Sequence, residues 1–459
     1  MSTGLYASLG MATRSLHAQE YGLNVTGQNI ANANTPGYAR RVTDHYAVPE
    51  GAGGGVNAAD ARAIRDDLLE QRLRREVPQA TKQAALAESL AVVETGMAAS
   101  GASLDSALSG FLDAFSSLAA EPTSAVHRRD AQLQATGLAA AFSDAATRFE
   151  SARQSADAQV RATVQEINSL ASRIASLNDA IGSSANGSNL ALQDQQADLV
   201  RQLTELADVN VLPRGGGGVD ISIGSGRPLV VNENAYTLDL DSVPPNGYAD
   251  VTSGIYTITG EIGGGRLGGL LQARDTTVPA YQDALDTLAW ETAQQVNALH
   301  TAGFDLQGVA GTALFTFTPA LGAPPVGAAS AIGVNPAIEA DPSLIAAAGV
   351  ALPGDNQVAQ AIADLRTARV LDGGTATLFD GYANLVYAVG RDSQAASAKG
   401  QSLGDVVRQV DALRDQVSGV SLDEEALNML KFQRAYEANA RFFRAVDQTL
   451  SMLFQALGS

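Results

Sequence analysis

Side chains that could carry out acid–base, nucleophilic or metal chemistry are few in this sequence and far apart. No two of the four histidines lie at a metal-ligand spacing: His17, His45, His127 and His300. There is no cysteine, which excludes thiolate nucleophiles, Cys-based zinc sites and disulfides. No G-x-x-x-x-G-K-S/T phosphate loop occurs. The sequence therefore predicts that the protein is not an enzyme and has no catalytic, cofactor-binding or metal-binding residues.

Two stretches come closest to a chemical site, and each has a simpler interpretation. The glycine-rich run at residues 263–269 lacks the lysine and the β-α-β setting of a phosphate loop, so we expect a flexible connection. Asp423, Glu424 and Glu425 are consecutive carboxylates. Because the helix dipole favours negative charge in the first turn, we interpret them as the start of the last helix.

The elements that dominate the sequence are its two ends, where apolar residues recur at intervals of seven. The C-terminal stretch has the a/d stripe of a coiled coil, with a polar Asn439 at one d position: Met429, Phe432, Tyr436, Asn439, Phe443, Val446 and Leu450. The N-terminal stretch has its own stripe: Leu9, Leu16, Leu23 and Ile30. Because an isolated helix of this kind is marginal, we expect the two terminal helices to pack on each other and on neighbouring copies.

A turn-forming run follows the N-terminal helix. Asn32 and Asn34 suit a helix end, and the sequence Thr35-Pro36-Gly37-Tyr38 suits a type II turn. Up to this point the only charged residues are Arg14 and Glu20. A solvated helix usually has more charge on its outer face, so the N-terminal helix and this turn are predicted to contact protein on several sides. We assign both to an assembly interface.

Composition limits the class of partner. The chain of 459 residues has a formal net charge of −19 and 45% apolar residues. Its acidity disfavours binding to nucleic acid and to anionic membranes. We find neither a run of eighteen apolar residues nor the pattern of a cleavable signal peptide, so we expect no membrane contact and, if the protein is secreted, another export route.

The order of patterns along the chain predicts a mainly α fold: an elongated multi-domain rod with a long-helix bundle, a small β-rich insert and a terminal coiled-coil domain made from both ends. The expected terminal domain is 1–37 with 420–459. The expected helical-bundle domain is 38–302 with 356–419, and the insert lies at about 209–265. Residues 303–355 are rich in proline and glycine, and they are expected to form extended surface connections.

Both ends resemble the flagellar axial proteins, the family of rod, hook and hook-associated proteins. The N-terminal resemblance rests on Asn29-Ile30-Ala31-Asn32-Ala33-Asn34-Thr35-Pro36-Gly37-Tyr38 and Arg40. The C-terminal resemblance rests on Phe432-Gln433, Ala435-Tyr436 and Ala438-Asn439-Ala440. The helical middle, from about 62 to 207, and residues 297–311 resemble the hook-associated members at the hook–filament junction. The departure is at 312–355, where the family often has a larger outer β domain that is reduced or missing here.

The resemblance implies a secreted structural protein of the bacterial flagellum that connects hook to filament. It implies a homo-oligomer of about eleven copies in a short helical tube. The implied partners are the hook protein, a second hook-associated junction protein and an export chaperone. The terminal helices are expected to be loosely ordered in the free chain and to fold on assembly, because ordering them costs backbone entropy.

Three alternatives remain open at this point. Another axial protein of the rod or hook would have a β-dominated middle. A secreted enzyme or adhesin using axial-type ends for delivery would need a pocket or a catalytic constellation. A helical scaffold unrelated to flagella would have termini that resist proteolysis in the free chain.

Overall fold

Long α-helices form most of the structure. The computed structural model is 68% helical and describes residues 2–35, 37–49, 54–98, 103–183, 189–241, 247–319, 326–352 and 354–457. The terminal helices pack together, and the strands are short. The predicted mainly α fold is confirmed.

The α-helices of these residues are α1 (Ser2–Ala31), α2 (Asp67–Ala98), α3 (Leu104–Ala120), α4 (Ala125–Ser183), α5 (Leu190–Leu206), α6 (Gly265–Gln272), α7 (Val278–Thr301), α8 (Ala328–Ala331), α9 (Pro336–Ala340), α10 (Gln357–Asp364), α11 (Leu378–Ser418) and α12 (Leu422–Leu457). A π-helical turn, Ala273–Thr277, joins α6 to α7.

The strands are β1 (Arg41–Val42), β2 (His45–Ala47), β3 (Val56–Ala58), β4 (Arg62–Ala63), β5 (Val209–Pro213), β6 (Val219–Ile223), β7 (Arg227–Val231), β8 (Asn234–Ala235), β9 (Leu238–Asp241), β10 (Asp250–Ser253), β11 (Tyr256–Thr257), β12 (Phe315–Phe317) and β13 (Ile332–Val334). The insert contains a sheet of order β5-β6-β7-β8 and another of order β11-β10-β9. The remaining strands pair as β1-β4, β2-β3 and β12-β13.

Helix α4 organises the body of the molecule, which we define as residues 67–418. It has 59 residues and is about 88 Å long at 1.5 Å per residue. Its first half packs with α3, α7, α10 and the start of α11 around Phe111, Phe142 and Phe149. Its second half packs with α5, α6 and the β-rich insert around Ile167 and Leu203. One continuous helix therefore belongs to both main cores.

The glycine-rich run at 263–269 is not a flexible connection, and that interpretation was wrong. Its residues begin α6, and Gly265, Gly268 and Gly269 are buried. A Cβ on Gly269 would lie 2.3 Å from the carbonyl oxygen of Lys82 on α2. Glycine is required here because the backbones of the two helices approach too closely for a side chain.

Residues 303–355 were expected to be extended surface connections, and the described part of this segment is packed instead. Phe315 and Ile338 are fully buried, and Ile345 is also in the core that surrounds the first half of α4. Arg128 on α4 donates to the carbonyl oxygens of Pro122 and Ile345. The segment has little periodicity because it is built from turns and very short helices and strands, yet its side chains enter the core.

His300 holds this segment on α7. Its Nδ1 donates to the carbonyl oxygen of Thr312 at 2.5 Å, and its Nε2 accepts from the backbone N–H of Ala346 at 2.9 Å. Burial lowers the pKa of His300 to about 4, although the Thr312 carbonyl opposes this shift. The imidazole is therefore neutral in the fold, and it cannot be protonated without losing the bond from Ala346.

We expect this histidine to make stability depend on pH. Its pKa falls from 6.5 in the unfolded chain to about 4 in the fold. The unfolded chain therefore binds more protons between these values, and stability falls as the pH drops from 6.5 towards 4. The loss is up to about 3 kcal/mol at 1.36 kcal/mol per pKa unit. Guanidinium unfolding at about pH 7.5 and about pH 4.5 measures this loss of stability.

His300→Gln should remove this part of the pH dependence, whereas the exposed-site control His17→Gln should keep it. Equal pH dependence in the His300→Gln variant and the unaltered chain would contradict the assignment.

Candidate assembly site

Helices α1 and α12 pack against each other in antiparallel orientation. We call this pair the terminal unit. Gly22 lies against Phe432, and Asn29 contacts Glu425, so positions nearer the start of α1 face positions nearer the end of α12. Along α12 the predicted stripe faces α1: Val446 and Leu450 are buried, and Met429, Phe432, Asn439 and Phe443 are half-buried. Tyr436 is 39% exposed.

The face of α1 that meets α12 is not its leucine stripe. Leu9, Leu16, Leu23 and Ile30 are only half-buried in the single chain. The buried positions are mostly small or polar, and the apolar periodicity did not reveal them: Ala12, Ser15, Ala18, Gln19, Gly22, Val25, Thr26 and Asn29. Small side chains allow the helix axes to approach closely, so the leucine stripe flanks the contact and remains accessible.

Phe432 is the largest side chain at the centre of this contact. A Cβ on Gly22 would lie 2.9 Å from the Phe432 ring, so the absence of a side chain makes room for it. On another side, the His45 ring lies 5.3 Å from the Phe432 ring, tilted by 54°. Burial lowers the pKa of His45, and the nearby charge of Lys431 lowers it further. A neutral imidazole therefore covers the phenylalanine.

The hairpin of β2 and β3 holds α1 from outside. Arg14 donates to the carbonyl oxygen of Gly54 at 2.8 Å, and the hydroxyl of Tyr21 accepts from the backbone N–H of Ala61 at 2.9 Å. A Cβ on Gly55 would lie 2.9 Å from the Met11 side chain. The charge of Arg14, one of only two before the turn, is thus used to dock this hairpin.

The turn after α1 adopts the predicted local geometry where it is described. Gly37 has a φ of +76°, which suits the third position of a type II turn. The backbone N–H of Tyr38 donates to the carbonyl oxygen of Thr35 at 3.2 Å. Asn32 accepts from the Thr35 hydroxyl, and Asn34 is exposed. Pro36 lies outside the described residues.

A polar cluster at the base of the terminal unit was not predicted. We call it the joint cluster: Asn29, Tyr38, Arg40, Arg41, Asp194 and Glu425. Asn29 is 1% exposed and Glu425 is 2% exposed. The Asn29 amide donates to Glu425 Oε2 at 3.1 Å, while its Oδ1 accepts from the Tyr38 hydroxyl at 2.8 Å. Burial raises the pKa of Tyr38, so its hydroxyl remains a donor.

Two arginines complete the joint cluster. Arg40 Nε lies 2.8 Å from Glu425 Oε1, and Arg40 also pairs with Glu424 at 2.9 Å. Arg41 pairs with Asp194 on α5 at 2.8 Å, and Arg65 pairs with the other oxygen of Asp194 at 2.6 Å. Paired charges of this kind can be buried because each is compensated by an opposite charge and a hydrogen bond.

The acidic run at 423–425 therefore does more than begin a helix. Asp423 is exposed in the first turn of α12, where the helix dipole favours its charge. Glu425, in contrast, is buried and forms an ion pair with Arg40. Two adjacent arginines, Arg40 and Arg41, follow a nearly uncharged stretch. That contrast was the signal in the sequence for a buried acidic partner.

An open cleft of about 1030 Å³ lies beside the joint cluster, between α2, α5 and α11. Several charged side chains that line it pair with each other: Arg201 with Asp198 and Glu205, and Arg414 with Asp411. Within the described residues, no group of three or more His, Asp or Glu side chains is placed to hold a metal ion. No helix in the described part of the chain has the length and apolar character needed to cross a membrane.

Family models match the middle of the chain and both ends. The model described as the helical domain of flagellar hook-associated protein FlgK matches residues 90–315. The model described as flagella basal body rod protein matches residues 9–38. The model described as flagellar basal body rod FlgEFG protein C-terminal matches residues 415–456.

Relatives match over nearly the whole chain. Flagellar hook-associated protein 1 of Bacillus subtilis (strain 168) is 27% identical over 509 residues, covering 99% of each chain. Its counterpart of Escherichia coli (strain K12) is 26% identical over 540 residues, covering 97% of this chain and 98% of the relative.

Among solved structures, the flagellar hook junction protein FlgK from Burkholderia pseudomallei has a similar fold. The TM-score is 0.67 at 18% identity, and the match covers 76% of this chain and 100% of that one. The helical-domain match, the two end matches and the nearly full-length relatives agree: the chain belongs to the family of the flagellar hook-associated protein FlgK and is a structural component of the extracellular bacterial flagellum.

Proposed function

We propose that this chain joins the flagellar hook to the filament by self-assembling into a short helical tube. The observation that carries the proposal is the terminal unit: two helices from opposite ends of the chain form one antiparallel pair that leaves large apolar side chains exposed, among them Leu427, Leu430 and Phe442. A secreted chain with such a surface needs neighbours to cover it. The match to the FlgK helical domain favours this function over that of a rod or hook protein.

The proposed assembly interface has two parts. The first is the set predicted from sequence, whose leucine stripe and turn remain accessible: Leu9, Leu16, Leu23, Ile30, Asn32, Asn34, Thr35, Pro36, Gly37, Tyr38, Met429, Phe432, Tyr436, Asn439, Phe443, Val446 and Leu450. The second is a set of exposed apolar residues that the structure adds: Tyr6, Leu427, Leu430, Phe442 and Met452. Burying each large apolar side chain against a neighbour contributes roughly 1.5–3 kcal/mol.

We further propose the arrangement of domains and partners. The terminal domain is 1–37 with 420–459, and the bundle domain is 38–302 with 356–419 and its insert at about 209–265. Because residues of 303–355 enter the bundle core, this segment is assigned to the bundle. The chain assembles with other flagellar proteins. We propose about eleven copies, with the hook protein, a second hook-associated junction protein and an export chaperone as partners, and no contact with nucleic acid or membrane.

We also propose that the protein has no catalytic activity. Many of the charged groups lining the cleft beside the joint cluster are paired with each other, which leaves them poorly placed to act on a substrate. The enzyme and adhesin alternative requires a constellation of reactive groups, and the family is one of structural proteins.

Location in purified hook-basal bodies tests the proposed function. Antibody-gold labelling of the chain is expected to mark a single narrow zone between hook and filament. Labelling along the rod, or along the whole hook, would favour the rod or hook alternative instead.

The double variant Leu23→Asp plus Phe443→Asp is expected to leave the body folded and to abolish filament attachment. One carboxylate would be placed on the accessible leucine stripe of α1 and the other on the face of α12 that packs on α1. In either place a charge without a partner is strongly unfavourable. Counting cells with filaments by electron microscopy measures the effect. Leu68→Asp is the control, because Leu68 is an exposed apolar residue on the body. Full-length filaments on the double variant would refute the proposed interface.

A further inference from the structure

The chain passes between the terminal unit and the body only twice, through residues 32–66 and through residues 419–421. The joint cluster includes Tyr38, Arg40 and Arg41 of the first link, and Arg40 also bonds to Ser418 just before the second. We propose that the joint cluster is a rigid joint that fixes the direction of the terminal unit on the body. This inference rests on the proposed function, because a fixed direction matters in a protein that passes load between two assemblies.

The joint cluster contacts both sides. On the terminal unit it includes Asn29 of α1 and Glu425 of α12. On the body it includes Asp194 of α5, which Arg65 also holds from the residues just before α2. Helices that are distant in sequence therefore meet in one network.

Arg40 and Arg41 connect the two sides directly. The backbone N–H of Arg41 donates to Asn29 Oδ1 at 2.9 Å, while its guanidinium pairs with Asp194. The guanidinium of Arg40 pairs with Glu425, while its backbone N–H donates to the carbonyl oxygen of Ser418 at 2.9 Å, where α11 ends. The carbonyl oxygen of Arg40 accepts from the backbone N–H of Ile64 at 2.8 Å. Two consecutive residues thus bond to the terminal unit and the body at once.

The burial of these groups makes the connection stiff. Asn29, Asp194 and Glu425 are all buried. Tilting the terminal unit would separate several of these pairs together and leave charges buried without partners, which is strongly unfavourable. Exposed side chains could replace lost partners by water whenever the terminal unit tilted. The buried side chains of the joint cluster cannot. The joint is therefore expected to hold one direction.

The absence of cysteine allows a direct measurement on the full chain. Spin labels on Asn24→Cys, exposed on α1, and Ser172→Cys, exposed on α4, report the distance between terminal unit and body. We expect one narrow distance distribution in the otherwise unaltered chain, because α1 and α12 already pair in the single chain. This expectation differs from the loose order of the free terminal helices predicted from sequence, and the width of the distribution decides between the two. Glu425→Gln removes the buried charge and should broaden the distribution by about twofold or more. Asp423→Asn removes a carboxylate from the same helical turn and should leave it unchanged.

A second variant separates the joint from the stability of α12. Asp194 lies on α5 of the body and pairs with Arg41 and Arg65. The substitution Asp194→Asn should broaden the distribution while helix content measured by circular dichroism stays constant. A broad distribution in the unaltered chain, an unchanged width in Glu425→Gln or Asp194→Asn, or equal broadening in Asp423→Asn would each overturn the inference. These measurements use the free chain. Antibody-gold labelling of another part of the flagellum would therefore refute the proposed function without refuting the rigid joint.

Discussion

Gly22→Leu is expected to force α1 away from α12 and to abolish filament attachment. A Cβ at this position would already lie 2.9 Å from the Phe432 ring, closer than packed atoms approach, and three further carbons would follow. The ring cannot retreat freely because His45 packs on it. Overpacking of a filled contact usually costs about 1–3 kcal/mol, which is severe for a unit of only two helices.

Gly27→Leu is the matched control for this prediction. Gly27 lies on the same helix, and a Cβ there would meet nothing within 4 Å. Both substitutions replace a glycine that is unfavourable in a helix by a good helix former, so intrinsic helix propensity changes equally. Hydrogen exchange of the α12 amides in the free chain measures the separation, and filament counts measure assembly. Normal α12 protection in Gly22→Leu, or equal losses in both variants, would show that the close contact is unimportant.

Asp157→Ala is expected to destabilise the body by about 1.5–3 kcal/mol, the usual contribution of a hydrogen bond to a charged group, because Arg274 would still pair with the adjacent Asp275. Arg274 is 1% exposed, and its Nη1 lies 2.6 Å from Asp157 Oδ1. The same nitrogen donates to the carbonyl oxygen of Ala249 in the insert. Without Asp157, a cation between α4 and the insert would lose its main partner from α4.

The midpoint of guanidinium unfolding measures this loss. Asp405→Ala serves as the comparison because it removes an ion pair with Arg408 in which both side chains are largely exposed. Exposed pairs contribute about 0–1 kcal/mol, so this variant should unfold close to the unaltered chain. Similar unfolding midpoints for the two variants would mean that the contacts of Arg274 with Asp157 and Ala249 do not hold the insert on α4.

The sequence predicted helices well where large apolar residues are periodic. The α12 stripe faces its partner, as its period of seven indicated, and the stripe of α4 around Ile167 and Ile174 is buried. On α1, however, the residues that meet α12 include Gly22 and Asn29. Hydrophobic periodicity detects bulky side chains, and this contact depends on their absence.

The joint cluster could not be derived from local pattern. Asn29 and Glu425 are separated by 396 positions, and no spacing rule connects them. The acidic run was interpreted from its helical context alone, which explains Asp423 but not Glu425. Partner choice between buried polar groups is set by the tertiary fold, so it becomes visible only when the two ends are placed together.

The segment 303–355 was misjudged for a related reason. Its proline and glycine content indicated turns correctly, but turns do not reveal which side chains point inward. Phe315 and Ile338 lie in short elements between turns, and both are buried in the same core. Burial of single residues between turns produces no period that a sequence pattern can show.

Asn29 and Glu425 bring the two terminal helices together at the base of the terminal unit. The alignments with the relatives extend over 509 and 540 positions, although this chain has 459 residues, so the extra residues of those proteins lie internally. An insertion in the middle enlarges the body without displacing either terminal helix. Bodies of different size are therefore compatible with one unchanged pair of ends. In the proposed tube, the outside could diversify while the wall kept the same lattice.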